Sequence, residues 1–290
     1  MSSVEKSNSF SDPIELLFKT PPEKFTHTCD NVMDFQIEEG LYSQIINSTE
    51  TGNIVGLPSN HQGYFEVEVL RRISQEIKQR SKKSIKMYLT YSEPATNYNV
   101  GKFLELRQPF YKDSNLILLP IIRKIDKHHP VYKNNINEEM ETRSECSKKI
   151  LAEALEQRGC IIAILFAGNR NESKINPETG KRNGMEEIPK DEVLLKKILR
   201  HDVDIVPLSI DGSYKVLDTT NNQPTEEFIQ TFLGSPTKLV VVKANEFMSI
   251  NTRYRDHFKI KRTTEIIHDI AVKIAKNLPP EARGYYGQFV

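Results

Sequence analysis

The sequence predicts an α/β layered domain, with helices on both faces of a mixed, mainly parallel central sheet, behind a short helical N-terminal segment. Three observations predict it. Cys160-Ile161-Ile162-Ala163-Ile164-Leu165-Phe166 is a continuous apolar run of strand length, which suits a parallel strand covered on both faces. Glu138 to Gln157 and Thr263 to Asn277 carry apolar residues at helical spacing, such as Leu151, Ala154 and Leu155 in the first and Ile266, Ile270 and Ile274 in the second. Shorter apolar runs alternate with helical stretches along the chain, the order that builds a parallel sheet.

Taken in order, residues 1–12 are Ser-rich and polar and read as a disordered lead-in. Residues 13–50 form the helical N-terminal segment, and 51–290 the α/β domain. Asp12-Pro13 pairs an N-cap residue with a proline at the first helical position, and Pro21-Pro22 ends that piece. From Asn31 to Ile46 apolar residues recur at helical spacing, with Gly40 as a possible break. Ile54 to Leu57 is a short buried strand that stops at Pro58. Phe65 to Lys78 is a helix with Phe65, Val69, Ile73 and Ile77 on one face, closed by Lys82-Lys83. Ile85 to Tyr91 and Leu116 to Ile122 are strands, with a short helix and loop between Glu93 and Gln108. Lys124 to Val131 is a charged loop, and Gly159 stops the helix that begins at Glu138. After the Cys160 run, Ala167 to Glu172 is a loop by composition and Asp191 to Arg200 a helix. Val203 to Ile210 is a strand that Pro207 moves toward an edge or a bulge. Glu226 to Leu233 is a helix, Leu239 to Lys243 a strand, and Pro279-Pro280 ends the last helix.

The totals exclude several classes. In 290 residues, 38% are hydrophobic and 27% charged, which suits a globular domain with a sizeable core. The net charge of +1 gives no global field for nucleic acid. No apolar run has the length of a membrane span, and the N-terminus lacks the apolar core of a secretory signal. Three cysteines cannot all pair within the chain, and Cys160 reads as a buried free thiol in a reduced compartment. A cytoplasmic protein, soluble or peripheral at a membrane, follows; export without a classical signal stays open. There is no GxGxxG or GxxxxGK[ST] loop, no GxSxG elbow, and no metal-ligand spacing among the cysteines. No metal is expected.

In such sheets ligands bind outside the C-terminal ends of the strands. Three strand ends carry distinctive residues: Asn60-His61, Lys127-His128 and Gly168-Asn169-Arg170. His61 sits at a polar corner after Ile54–Leu57, and Glu66 lies five positions on, in the first turn of the next helix. If that helix starts between them, Glu66 reaches back to one imidazole nitrogen, fixes the tautomer and stabilises the imidazolium while the other nitrogen takes a proton. The same spacing also fits a surface histidine beside a carboxylate favoured by the helix dipole. A base beside a cation cluster suits acyl or phosphoryl transfer.

At these residues the chain resembles the soluble, plastid-type glycerol-3-phosphate acyltransferase family, within the wider HxxxxD lysophospholipid acyltransferases. Ser59-Asn60-His61-Gln62 is similar to that family's SNHQ stretch, with Glu66 where the family has Asp. Lys127-His128 stands at its Lys-His pair and Thr142-Arg143-Ser144 at its TRS. Gly159 to Arg170 resembles its apolar strand and GGR loop, Asn176-Pro177-Glu178-Thr179 its DPET, and Ile205-Val206-Pro207-Leu208 its YPLA block. The resemblance spans roughly Ile54 to Lys243. It departs at Glu66 and at Glu172, where the family's GGRDR loop has a second Arg.

The resemblance implies an O-acyltransferase in which His61 is the general base and Glu66 orients it. It implies that Lys127, His128 and Arg170 bind the acceptor phosphate, with Arg143 either joining them or held in a helix-surface salt bridge. The donor would be a thioester, acyl-CoA or acyl carrier protein, and the acceptor glycerol 3-phosphate, with no cofactor. Two alternatives stay open: acylation of a lysophospholipid, and a degenerate protein that holds a lipid or acyl carrier without chemistry. A peripheral membrane contact through Arg283-Gly284-Tyr285-Tyr286 or the Lys-rich loop is a further expectation. No nucleic-acid partner is expected.

Overall fold

A computed structural model describes residues 20–63, 65–92, 107–128, 134–166, 178, 183–188, 193–217, 224–232, 234, 237–250 and 261–290. The expected helix start at Asp12-Pro13, most of the 93–108 connection and the 167–172 loop lie outside them.

Pro22 opens α1 (Pro22–Val32), a helix the sequence reading did not mark; at its first position the missing N–H costs nothing. The helix expected from Asn31 to Ile46 is instead the end of α1, then β1 (Met33–Gln36), then α2 (Glu39–Glu50). Pairing decides this. Met33 to Gln36 lies parallel to Val240 to Lys243, and that ladder overrides the helical spacing. The N-terminal segment read as helical therefore also supplies an edge strand.

β2 (Ile54–Ser59) runs through Pro58 and leads to α3 (Glu66–Arg80). β3 (Met87–Ser92) and β4 (Leu116–Ile121) follow, with residues 107–113 helical between them. The charged stretch expected to be a loop contains a short helix, α4 (Lys124–His128). Buried Asp126 makes it, accepting from the Arg123 N–H at 2.8 Å and binding the Arg123 guanidinium at 3.1 Å. α5 (Glu138–Gln157) starts at an Asn137 side chain that accepts the Met140 N–H, and it ends at Arg158 and Gly159, both with positive φ. β5 (Ile161–Leu165) leads to α6 (Val193–Ile198). Then come β6 (Val203–Ile205), β7 (Leu208–Asp211), α7 (Glu226–Phe232), β8 (Val240–Ala244), β9 (Met248–Ser249) and α8 (Lys261–Asn277).

Among the described residues the sheet runs β1-β8-β7-β2-β5-β3-β4, with β6 beside β2 and β9 beside β6. β2 is parallel to β5, β6 and β7, and β3 is parallel to β4 and β5. Among the described strands, β7–β8 and β6–β9 are the antiparallel pairs. Of the two places expected for Pro207, an edge or a bulge, the edge is not what is seen: it interrupts the chain between β6 and β7 in the interior of the sheet. Its carbonyl accepts the Asn245 N–H at 2.9 Å, and neighbouring Val206 donates to Gly56 at 2.9 Å. The ladder continues around a residue that has no N–H to give.

Helices cover both faces. α1, α2, α3 and α7 pack with Val55 and Leu57 on one; α5, α6 and α8 pack with Ile54 and Ile162 on the other. Gly56 points to the second face, where a Cβ would stand 2.6 Å from Ile205 Cδ1 and 3.2 Å from Ile198 Cδ1. No helix among the described residues is long and apolar enough to cross a membrane. The C-terminal Gly284–Phe289 turn packs on α8 and buries Tyr286, leaving Tyr285 and Phe289 exposed.

Candidate active site

The connections after β2 and β5 diverge. These strands are parallel neighbours, with Ser59 opposite Leu165. The chain leaving β2 enters α3 on one face of the sheet, and the chain leaving β5 reaches α6 on the other. Such a switch point opens a crevice outside the C-terminal strand ends, where open α/β sheets bind their ligands. His61 stands at its β2 side.

The corner from Asn60 to Gly63 is held from three directions. Glu66, fully buried in the first turn of α3, reaches back as its spacing suggests. Its Oε1 accepts the N–H groups of Gln62 at 2.8 Å and Gly63 at 2.9 Å. Its Oε2 stands 3.6 Å from His61 Nδ1, ion-pair separation and longer than a hydrogen bond. The His61 side chain is 11% exposed and Glu66 is not exposed at all. Asn60 exchanges two hydrogen bonds with the main chain of Ile210, donating at 2.7 Å and accepting at 2.8 Å. Gln62 accepts the Gly212 N–H at 3.0 Å and stands 3.4 Å from Asp211 Oδ1. Sequence reasoning placed Asn60 beside His61 at a distinctive strand end, and Gln62 in the same SNHQ stretch, but gave neither a role. Their polar character at a strand end is the signal, but their partners lie 150 residues away.

Two more polar groups border this corner. The Ser59 and Ser213 hydroxyls are buried with no hydrogen-bond partner among the described residues. Ser213 Cβ lies 3.7 Å from where a Cβ on Gly63 would stand. A buried polar atom left unpaired costs about 1–3 kcal/mol, and a native fold that keeps one calls for a reason, of which a catalytic role is one.

The cation candidates divide. Lys127 and His128 are exposed on α4, at the same sheet edge as His61 because β2, β5, β3 and β4 are all parallel. β4 is three strands from β2, roughly 14 Å at normal spacing. α4 leans over the end of the neighbouring strand: Ser92, the last residue of β3, donates to Asp126 at 2.8 Å. The Lys127 ammonium binds Glu141 of α5 at 2.9 Å. Arg143 lies 3.8 Å from Glu139 one turn away, the helix-surface pairing; the neighbouring Ser144 hydroxyl, buried, accepts the Ile122 N–H at 2.8 Å. Arg170 lies outside the described residues, with the rest of its loop. Phe65 is core, 2% exposed and edge-on to Phe228. No three His, Cys, Asp or Glu side chains gather as metal ligands among the described residues.

The corner can act as a base with its partner built in, a buried carboxylate against Nδ1 that favours the tautomer with its lone pair on Nε2. Compared with protein-family models the chain matches none, and compared with curated proteins it likewise matches none.

Proposed function

We propose that the chain is an O-acyltransferase that moves a fatty acyl group from acyl-CoA or acyl carrier protein to a hydroxyl of glycerol 3-phosphate. One observation carries this: a buried carboxylate, Glu66, faces His61 Nδ1 at 3.6 Å, at the C-terminal end of a central parallel strand. The motif blocks that resemble the acyltransferases lend the reaction class. In it, Nε2 of His61 takes the proton of the acceptor hydroxyl as its oxygen bonds to the thioester carbonyl carbon. The carbon–sulfur bond then breaks, and the thiolate leaves with the proton carried by the imidazolium. Glu66 stabilises that imidazolium while it exists. Lys127, His128 and Arg170 are the cations proposed for the acceptor phosphate. Arg143, 3.8 Å from Glu139 on the helix surface, is proposed as a fourth partner of the phosphate.

Purified protein incubated with labelled acyl-CoA and glycerol 3-phosphate should give the monoacyl product by mass. His61→Ala should reduce turnover at least about 100-fold, the usual scale for loss of a general base, with the circular dichroism unchanged. Equal turnover in that variant removes His61 from the mechanism. A panel with lysophospholipid acceptors tells the two acyltransferase readings apart. A binding protein without chemistry draws on the two departures from the family pattern, Glu66 and Glu172. It predicts ligand retention and no product.

A further inference from the structure

We infer that Asn60 and Gln62 are positioning residues that fix the His61 imidazole by fastening its backbone to the end of β7. For its kinetic consequence this rests on the acyl-transfer reading above. β2 and β7 pair through main chain at one position only, Ser59 opposite Leu208. Immediately afterwards the Asn60 carboxamide takes over, satisfying both the N–H and the carbonyl of Ile210 as a neighbouring strand would. Two residues on, the Gln62 carboxamide accepts from Gly212 and approaches Asp211. Asn60 is 0% and Gln62 2% exposed, so water does not compete for these bonds. His61 lies between the two anchors, with the N–H groups of the next two residues held by Glu66.

The far side of the clamp is itself rigid. Gly212 has φ +93°, and a Cβ there would stand 2.0 Å from the Leu239 carbonyl oxygen. Only glycine fits the turn, which fixes where its N–H points. β7 is also paired with β8 through Leu208 to Asp211. The histidine that leaves β2 is therefore referenced to a strand two places along the sheet path from the edge strand, not to a surface loop. A general base misplaced by about 1 Å loses much of its effect, and the two carboxamides remove that freedom by holding the backbone on either side of His61.

The test uses the full chain with two near-isosteric changes. Gln62→Met keeps the volume and removes both hydrogen-bonding atoms. Asn60→Asp keeps an acceptor for the Ile210 N–H and loses the donor to its carbonyl. Nitrogen-15 NMR of the imidazole reads the tautomer directly, with or without turnover. In the wild type, one His61 tautomer should dominate, protonated at Nδ1. In Gln62→Met the signals should move toward the tautomer average of a free imidazole, and kcat should fall roughly tenfold or more while KM for glycerol 3-phosphate stays within about twofold. Asn60→Asp should move both readouts in the same direction. Unchanged tautomer signals in folded variants overturn the clamp, whatever the turnover. A wild type that makes no product defeats the acyl-transfer reading but leaves the NMR comparison to judge the clamp.

Discussion

Glu66 does two jobs that the spacing of His61 and Glu66 did not separate. One oxygen accepts two main-chain N–H groups, and the other faces the imidazole. An aspartate is shorter by one carbon–carbon bond, about 1.5 Å, and cannot keep both contacts with the same helix start. Glu66→Asp should therefore lower acyl transfer and reduce stability by about 1–3 kcal/mol, the cost of stranding buried donors. Parallel turnover and urea-unfolding measurements check it. A gain in turnover would instead mark glutamate as a handicap at this corner. The pair itself was legible because both partners are local in the chain. Asn60 and Gln62 were not, because nothing in a polar tetrapeptide reveals that β7 will lie beside it. Arg143 was legible only as a choice between the phosphate and the helix surface, and its 3.8 Å approach to Glu139 is the i, i+4 contact that the second reading expects.

α3 carries the site at its first turn and a buried ionic cluster two residues further on. Glu68, 2% exposed, binds Arg71 at 2.7 Å and accepts the Tyr111 hydroxyl at 2.8 Å. Arg71, also 2% exposed, is paired as well with Asp30 of α1. Arg107 stands 3.5 Å from Glu68 and stacks over the Phe25 and Phe110 rings. The cluster ties α1, α3 and the helix containing Tyr111 into one layer, and so holds the frame from which Glu66 reaches His61. Replacing one partner leaves a buried charge uncompensated, so Arg71→Met should cost about 3–5 kcal/mol. A urea midpoint that falls by the equivalent amount with an unchanged slope supports this; a loss below about 1 kcal/mol would show the cluster to be a solvated face. Element length decided what could be read here. α3, α5 and α8 were legible because several turns repeat one pattern. β1 has four residues and α4 five; each is made by a partner, Val240–Lys243 for one and Asp126 for the other, that periodicity cannot register.

The whole molecule is a two-faced sheet, and its architecture was legible because alternation of strand and helix leaves few ways to bury both faces. The order of strands was not, since pairing depends on which crossover each helix makes. Closing both faces also buries groups that ionise in alkali. Burial pushes the Cys160 thiol from 9.0 to about 11 and the Tyr42 hydroxyl from 10.0 to about 12. Cys29 and Tyr111 are raised as well, first by burial and then by the Glu68 carboxylate. In each case the folded state keeps its proton at a pH where the unfolded chain has released it. The unfolded state then binds fewer protons, so unfolding free energy falls as pH rises. Stability from these groups is complete below the ordinary thiol value, and it is lost from about pH 9 upward, through the folded values near 11 and 12. Urea midpoints should be flat from about pH 7 to 8.5 and decline beyond about 9. Cys160→Ala should flatten the first part of that decline, because it removes a group that opens the window. A midpoint constant to about pH 10.5 would mean that these side chains ionise alike in the folded and unfolded chain, and that the two layers do not exclude water as their packing requires.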